Sequence, residues 1–259
     1  MIGAIIGDIV GSRFEFNNHR STDFEFFHPD CDFTDDTVMT VAVADAIMSG
    51  KPFGETLHEY GRRYPNRGYG ARFFNWLLKR QGYEPYNSYG NGSAMRVSPC
   101  AHLAHGNREQ ALTWAAASAV CTHNHPEGVK GALAVADCIL MASERRPKEE
   151  IRRMTEELYG YDMDFTIDDI RPVFAFDETC QCTVPQAIEC FLESDCYESA
   201  IRIAISLGGD SDTIAAITGG IAEAYYGVPQ EMVERALGML PQDMREVVQA
   251  MYDKGNGRK

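Results

Sequence analysis

Gly3, Gly7 and Gly11 fall at i, i+4 and i+8 of the opening stretch "IGAIIGDIVG". On an α-helix these positions share one face. A glycine inside a helix costs about 0.5–1 kcal/mol relative to alanine. Three on one face therefore argue that another backbone must come very close. A second stretch, 213–226, is equally rich in small residues: Ala215, Ala216, Gly219, Gly220, Ala222 and Ala224. Two helices of this kind suit a buried central pair, packed backbone to backbone.

Helical periodicity continues along almost the whole chain. It predicts helices over 2–10, 37–49, 55–63, 70–81, 108–121, 127–144, 147–158, 186–193, 197–206, 213–226, 229–238 and 241–253. Pro126, Pro185 and Pro229 stand near helix starts, and Ser98-Pro99 reads as an N-cap followed by the first helical residue. Gly50, Gly82, Gly160 and Gly227 stand near helix ends. No convincing alternating strand is present, and 173–176 is ambiguous. No low-complexity linker divides the 259 residues, of which 44% are hydrophobic. The expectation is one all-α domain over 1–259 with a sizeable core.

Chemistry gathers at two helix mouths. In "FTDDTVMT" two adjacent acids, Asp35 and Asp36, lie between Thr34 and Thr37. In "SLGGDSDTIAAITGG" Asp210 and Asp212 alternate just after Gly208 and Gly209, with Thr213 opening the helix. Each cluster alone reads as an acidic N-cap. Together they form an all-oxygen set, which suits Mg²⁺ or Mn²⁺ rather than zinc or copper. A third stretch, "NSYGNGSAMRVSPCA", brings Ser88, Tyr89, Gly90, Asn91, Gly92 and Ser93 into a loop able to aim backbone N–H groups at an anion. It is not a Walker A loop, because no Gly-Lys-Ser/Thr follows. In "CTHNHPEGVKGA", His123 and His125 have no third nitrogen or sulfur to complete a metal site, so His123 reads as a hydrogen-bonding group beside a polar ligand.

The net charge of −14 argues against a generic binder of unmodified nucleic acid or of anionic membrane. No apolar run approaches the ~20 residues of a membrane span. The N-terminus lacks the basic leader of a signal peptide. These features predict a cytoplasmic protein whose eight cysteines are thiols. Cys180, Cys182, Cys190 and Cys196 lack the paired spacing of a zinc site.

The segments "GDIVGSRFE", "FTDDTVMT", "YPNRGYGARF", "SYGNGSAMRVSP" with "THNHPEGVKGA", and "SLGGDSDTIAAITGGIAEAYYG" follow one another along nearly the whole chain. In this order they resemble the ADP-ribosylglycohydrolase family, which includes dinitrogenase reductase-activating glycohydrolase and the ADP-ribosyl-acceptor hydrolases. The resemblance implies an all-α fold with a two-metal cleft. It implies ligands to two divalent cations at Thr34, Asp35, Asp36, Asp210, Asp212 and Thr213. Glu15 matches the family glutamate near the second metal, a candidate for activating water. Asp35 and Asp36 would share the catalytic centre with it. The Ser88–Ser93 segment, His123 and Gly208-Gly209 match regions that line the ADP-ribose site. The implied activity is hydrolysis of the ribose C1″ bond of an ADP-ribosylated acceptor, most simply a protein side chain, releasing ADP-ribose. One residue departs from the pattern: Asn66 stands where several members carry an aspartate. Two other classes remain open at this stage, a non-catalytic ADP-ribose binder and a Mg²⁺-dependent phosphohydrolase of a related nucleotide. The acceptor linkage is also open.

Overall fold

Residues 2–11 form a helix in which every residue is buried. Its glycine face lies directly on another backbone. The computed structural model describes residues 1–79 and 84–256. Their helices, in chain order, are α1 (Ile2–Gly11), α2 (Asp35–Ser49), α3 (Phe53–Arg63), α4 (Ala71–Leu77), α5 (Gly92–Met95), α6 (Ser98–Leu103), α7 (Arg108–Val120) and α8 (Pro126–Ser143). They continue with α9 (Lys148–Tyr159), α10 (Ile167–Ile170), α11 (Cys180–Leu192), α12 (Tyr197–Leu207), α13 (Ser211–Tyr226), α14 (Gln230–Met239) and α15 (Gln242–Asn256). Among the described residues the only β element is an isolated antiparallel bridge between Gly90 and Thr179. The domain is therefore all-α, as expected, and 173–176 is irregular.

α1 and α13 are the central pair. A Cβ placed on Gly7 would stand 2.1 Å from the Ala215 carbonyl oxygen, and one on Gly3 2.3 Å from that of Gly219. A Cβ on Gly11 would stand 2.5 Å from Asp212 Cα. Helix axes this close leave no room for side chains between them. The amides at the start of α1 are satisfied from afar: Ile2 N donates to Tyr252 Oη (2.9 Å) and Gly3 N to Glu223 Oε2 (2.8 Å). α13 also packs against α12, α11 and α8, while α2 lies against α1, α3 and α15. The ends of α1, α2 and α13 thus meet at one place.

Several expected boundaries move. α11 starts at Cys180, because Thr179 caps it by accepting from Cys182 N at 3.3 Å. Pro185 lies inside that helix and does not mark its start. α6 is capped by Val97, with Ser98 and Pro99 as its first helical residues. α4 ends at Leu77, short of the expected 81, and residues 80–83, with Gly82, lie outside the described residues. The short α5 and α10 lie outside the expected helices, whereas α6 begins where Ser98-Pro99 marks a helix start. Gly50, Gly160 and Gly227 do terminate helices, each with φ between 65° and 79°.

Candidate metal and ligand cleft

The starts of α2 and α13 and the residue after the short 3-10 turn at Ser12–Phe14 line one cleft of about 240 Å³. Glu15, Asp35, Asp36, Asp210, Asp212 and Thr213 line it, as do Ser88, Gly90, Asn91, Gly92 and His123. Most residues expected from the sequence therefore converge. Five do not reach this lining: Thr34, Tyr89, Ser93, Gly208 and Gly209.

Each of the five has another task. Thr34 is the N-cap of α2, accepting from Asp36 N at 3.3 Å and donating to Asp8 Oδ1 at 2.6 Å. Tyr89 is half exposed, its ring edge-on to His125 at 5.2 Å, outside the cleft. Ser93 is fully buried and donates to the Gly128 carbonyl at 2.6 Å, facing α8. Gly208 and Gly209, with φ of 75° and 70°, form the turn before α13. Asn18 clamps Gly209 through both of its backbone groups, at 2.8 and 3.0 Å. The same Asn18 amide donates to the carbonyl of Phe14 at 2.9 Å. The turn that carries Asp210 is thereby tied to the segment that carries Glu15.

Asp8 was not among the expected site residues, yet it sits at the centre of this arrangement. It is fully buried on α1. It accepts from Thr34 N (2.9 Å), Thr34 Oγ1 (2.6 Å), Thr37 N (3.1 Å) and Thr37 Oγ1. Asp8, Thr34 and the Arg67 carbonyl, which accepts from Asp35 N at 2.6 Å, together satisfy the amides at the start of α2. Asp35 and Asp36, in the first turn, are therefore not needed as side-chain caps.

The acids form two groups that share one member. Asp8, Asp36 and Asp212 each offer a carboxylate oxygen within 4.8 Å of the others, and so do Glu15, Asp210 and Asp212. Asp35 lines the cleft beside them but belongs to neither group. Neutral donors reach part of the set: Thr213 Oγ1 donates to Asp36 Oδ2 at 3.1 Å, and Asn91 Nδ2 to Asp210 Oδ2 at 2.7 Å. Asp36 Oδ1 and Asp212 Oδ1 are enclosed and have no hydrogen-bond partner among the described residues. None of these acids forms an ion pair with a Lys, Arg or His there.

Burial is the largest cause raising the pKa of every one, and mutual repulsion adds to it for Glu15, Asp35, Asp36 and Asp212. Asp35, Asp36 and Asp212 lie well above the ordinary carboxylate range. Glu15 rises to about 7, through burial, then Asp210, Asp8 and Glu178. Asp8 rises only to about 6, because the hydrogen bonds from Thr34 and Thr37 offset burial. Crowded, buried carboxylates with orphaned oxygens and no protein cation have the donor chemistry of a site for hard divalent ions.

Positive charge also lines the cleft. Arg72 and Arg96 line it together with Tyr86 and His123. Neither arginine was expected there, although "SAMRV" runs straight on from the glycine loop and "YGARF" from the Asn66 segment. An arginine becomes legible as a wall residue only once its helix is placed. Asn66 itself is exposed and does not line the cleft, whereas Gly68 and Gly70 do. Within the loop, Gly90 N donates to Ser88 Oγ (3.2 Å) and Asn91 N to the Glu178 carbonyl (2.7 Å). The amides of Gly92 and Ser93 have no partner among the described residues. Fewer loop amides are thus available to an anion than the sequence suggested. The eight cysteines are all free thiols, and among the described residues none joins a metal-competent cluster.

Comparison with known proteins places this geometry. The chain is 29% identical over 314 residues to ADP-ribosylhydrolase ARH3 of Mus musculus, covering 89% of this chain and 83% of that protein. It is 25% identical to ADP-ribosylarginine hydrolase Tri1 of Pseudomonas putida, covering 98% of this chain and 77% of Tri1. A solved structure described as an "ADP-ribosylglycohydrolase-related protein complex" shares the fold, with a TM-score of 0.74, 22% identity and coverage of 98% and 97% of the two chains. The family profile described as "ADP-ribosylglycohydrolase" matches residues 1–259, and this chain belongs to that family of hydrolytic enzymes.

Proposed function

We propose that this chain hydrolyses the ribose C1″ glycosidic bond of an ADP-ribosylated acceptor, a modified protein side chain in the simplest case, and releases ADP-ribose. Two divalent cations, Mg²⁺ or Mn²⁺, would be held by Asp36 and Asp212 with Asp8 behind them, and by Glu15, Asp210 and Asp212. Thr34, Asp35 and Thr213 would complete the oxygen set. The observation that carries this reading is the pair of acid groups sharing Asp212, with two enclosed oxygens left unpartnered. Such cations, when bound, supply Lewis acidity and fix substrate oxygens.

The chain's own residues do the rest. Glu15 stands at the edge of the acid cluster and is only half buried, so it can take the proton of the attacking water. The oxygen of that water bonds to C1″ as the bond to the acceptor breaks, and the acceptor leaves with the bonding pair and takes up a proton, so that Glu15 ends the cycle ionised again. Ser88, Gly90, Asn91 and Gly92, with the amides of Gly92 and Ser93, would hold the anionic part of the ligand beside His123. Asn91 keeps that loop in register with Asp210. No helix of the described residues is long and apolar enough to cross a membrane, and free thiols persist in a reducing compartment. Both suit a cytoplasmic enzyme.

Product analysis on peptides carrying defined arginine- or serine-linked ADP-ribose tests the reading. Free ADP-ribose should appear with Mg²⁺ or Mn²⁺ and should not appear after the metal is stripped. Full turnover by metal-free protein, or AMP with ribose phosphate as the products, would overturn it.

A further inference from the structure

Arg96 is 1% exposed, Thr122 fully buried and His123 5% exposed. Arg96 Nη2 donates to the Ser118 carbonyl at 2.6 Å and to Thr122 Oγ1 at 2.8 Å. Thr122 Oγ1 lies 2.7 Å from His123 Nδ1. At the far edge of the ring, Nε2 has no hydrogen-bond partner among the described residues. That edge faces the glycine loop: a Cβ on Gly92 would stand 3.1 Å from Nε2 and one on Gly90 3.6 Å. The absence of side chains at these two positions keeps Nε2 open to the cleft.

We propose that Arg96 and Thr122 form a relay that fixes His123 as the neutral tautomer with its proton on Nε2, so that it offers one hydrogen-bond donor to a diphosphate oxygen of the ligand. This rests on the ADP-ribose reading above. The assignment follows from counting donors. A guanidinium only donates, so the Thr122 oxygen accepts from Arg96. The single Thr122 proton is buried and needs an acceptor. Nδ1 is the acceptor at hand, which leaves Nδ1 bare and puts the ring proton on Nε2. The other tautomer could donate from Nδ1 to the second lone pair of Thr122 Oγ1, but it would strand the buried hydroxyl proton. A charged ring is disfavoured, because burial, then Arg96 and Arg72, holds the imidazole well below its ordinary pKa. Thr122 and Arg96 are thus positioning residues, and His123 is the group that would touch the ligand. An acceptor-only phosphate oxygen is the natural match for a fixed N–H donor.

Long-range proton–nitrogen NMR spectra of the isotope-labelled, Mg²⁺-loaded protein read the tautomer directly, with His123→Gln identifying the signals. The expected spectrum at neutral pH shows an unprotonated Nδ1 and a protonated Nε2. Thr122→Val keeps the side-chain shape and removes the hydroxyl. It should shift His123 towards mixed tautomers and weaken ADP-ribose binding about tenfold, the size of one hydrogen bond. Thr122→Ser should restore both. A protonated Nδ1 in the unsubstituted protein overturns the relay and requires no variant to fold. A folded Thr122→Val protein with an unchanged tautomer overturns it too. If the tautomer is as assigned but Mg²⁺-loaded protein binds no ADP-ribose, the diphosphate contact and the functional reading fail while the relay stands.

Discussion

Glu15 and Asp8 show how two acids of one short segment take different roles. Asp8 sits within α1 and accepts four hydrogen bonds from α2. Its lone pairs are largely spoken for, so it orients Thr34 and Thr37 and is poorly placed to move a proton. Glu15 has no hydrogen bond to its carboxylate among the described residues and lines the cleft. It should therefore be the more expendable for folding and the less expendable for turnover. Glu15→Gln should lower kcat by about 10²–10⁴-fold, the usual contribution of a general base, and leave the melting temperature almost unchanged. Asp8→Asn should do the reverse at the level of stability. It exchanges two acceptor oxygens for one and turns an NH₂ group towards donors, at about 1–3 kcal/mol for each buried group left unpaired. Steady-state kinetics and urea denaturation of both variants check the division. A Glu15→Gln enzyme with near-normal kcat, or an Asp8→Asn protein as stable as the parent, would remove it.

At the scale of elements, the pairing of α1 with α13 is what makes the acid cluster possible. With backbones in contact, Asp8 and the segment leading to Glu15 come within reach of Asp212. Gly7→Ala should push the helices apart, since its Cβ would meet the Ala215 carbonyl oxygen at 2.1 Å. The loss should be about 3 kcal/mol, at the upper end for an overpacked core. Gly238 offers a control. It lies in α14, is exposed, and a Cβ there meets nothing within 4 Å. Gly238→Ala should stabilise by up to about 0.5–1 kcal/mol through helix propensity alone. Equal effects at the two sites in denaturant titrations would contradict backbone packing as the reason for the glycine face. That face could be read from the sequence because its period is long and regular. The short α5 and α10 could not: four residues carry no period of their own, and such turns persist only through their tertiary contacts. The same contrast runs through the cleft. Acids crowded at two helix mouths stand out in a linear chain. Asp8, a lone acid within an apolar helix, acquires meaning only from Thr34 and Thr37 folded against it.

Over the whole molecule, charge decides how stability should respond to pH and metal. The cleft acids have folded-state pKa values above their unfolded values of about 4. Glu15 lies at about 7, Asp8 at about 6, and Asp35, Asp36 and Asp212 are raised well above the ordinary value. The metal-free fold then binds more protons than the unfolded chain, and it loses stability as pH rises through this window. His58, His102 and His123 oppose this, since burial lowers each. An unfolded histidine is neutral above about pH 7, which leaves the Met1 amino group, lowered by burial, as the one opposing site there against several raised acids. Metal-stripped protein should therefore melt at a lower temperature at about pH 8 than at about pH 7. Mg²⁺ displaces the protons and supplies the missing charge, so its affinity should rise with pH. At a hundred times its dissociation constant an ion that binds only the folded state adds about 2.7 kcal/mol per site. For a chain of this size that is about 5–10 °C. Thermal melts of stripped protein, with and without Mg²⁺ at about pH 6 and about pH 8, give the comparison, and the gain should be clearly larger at the higher pH. A gain of the same size at both would mean that the ion binds away from these carboxylates. No gain at either would mean that the crowded acids are held by the fold alone, against their mutual repulsion.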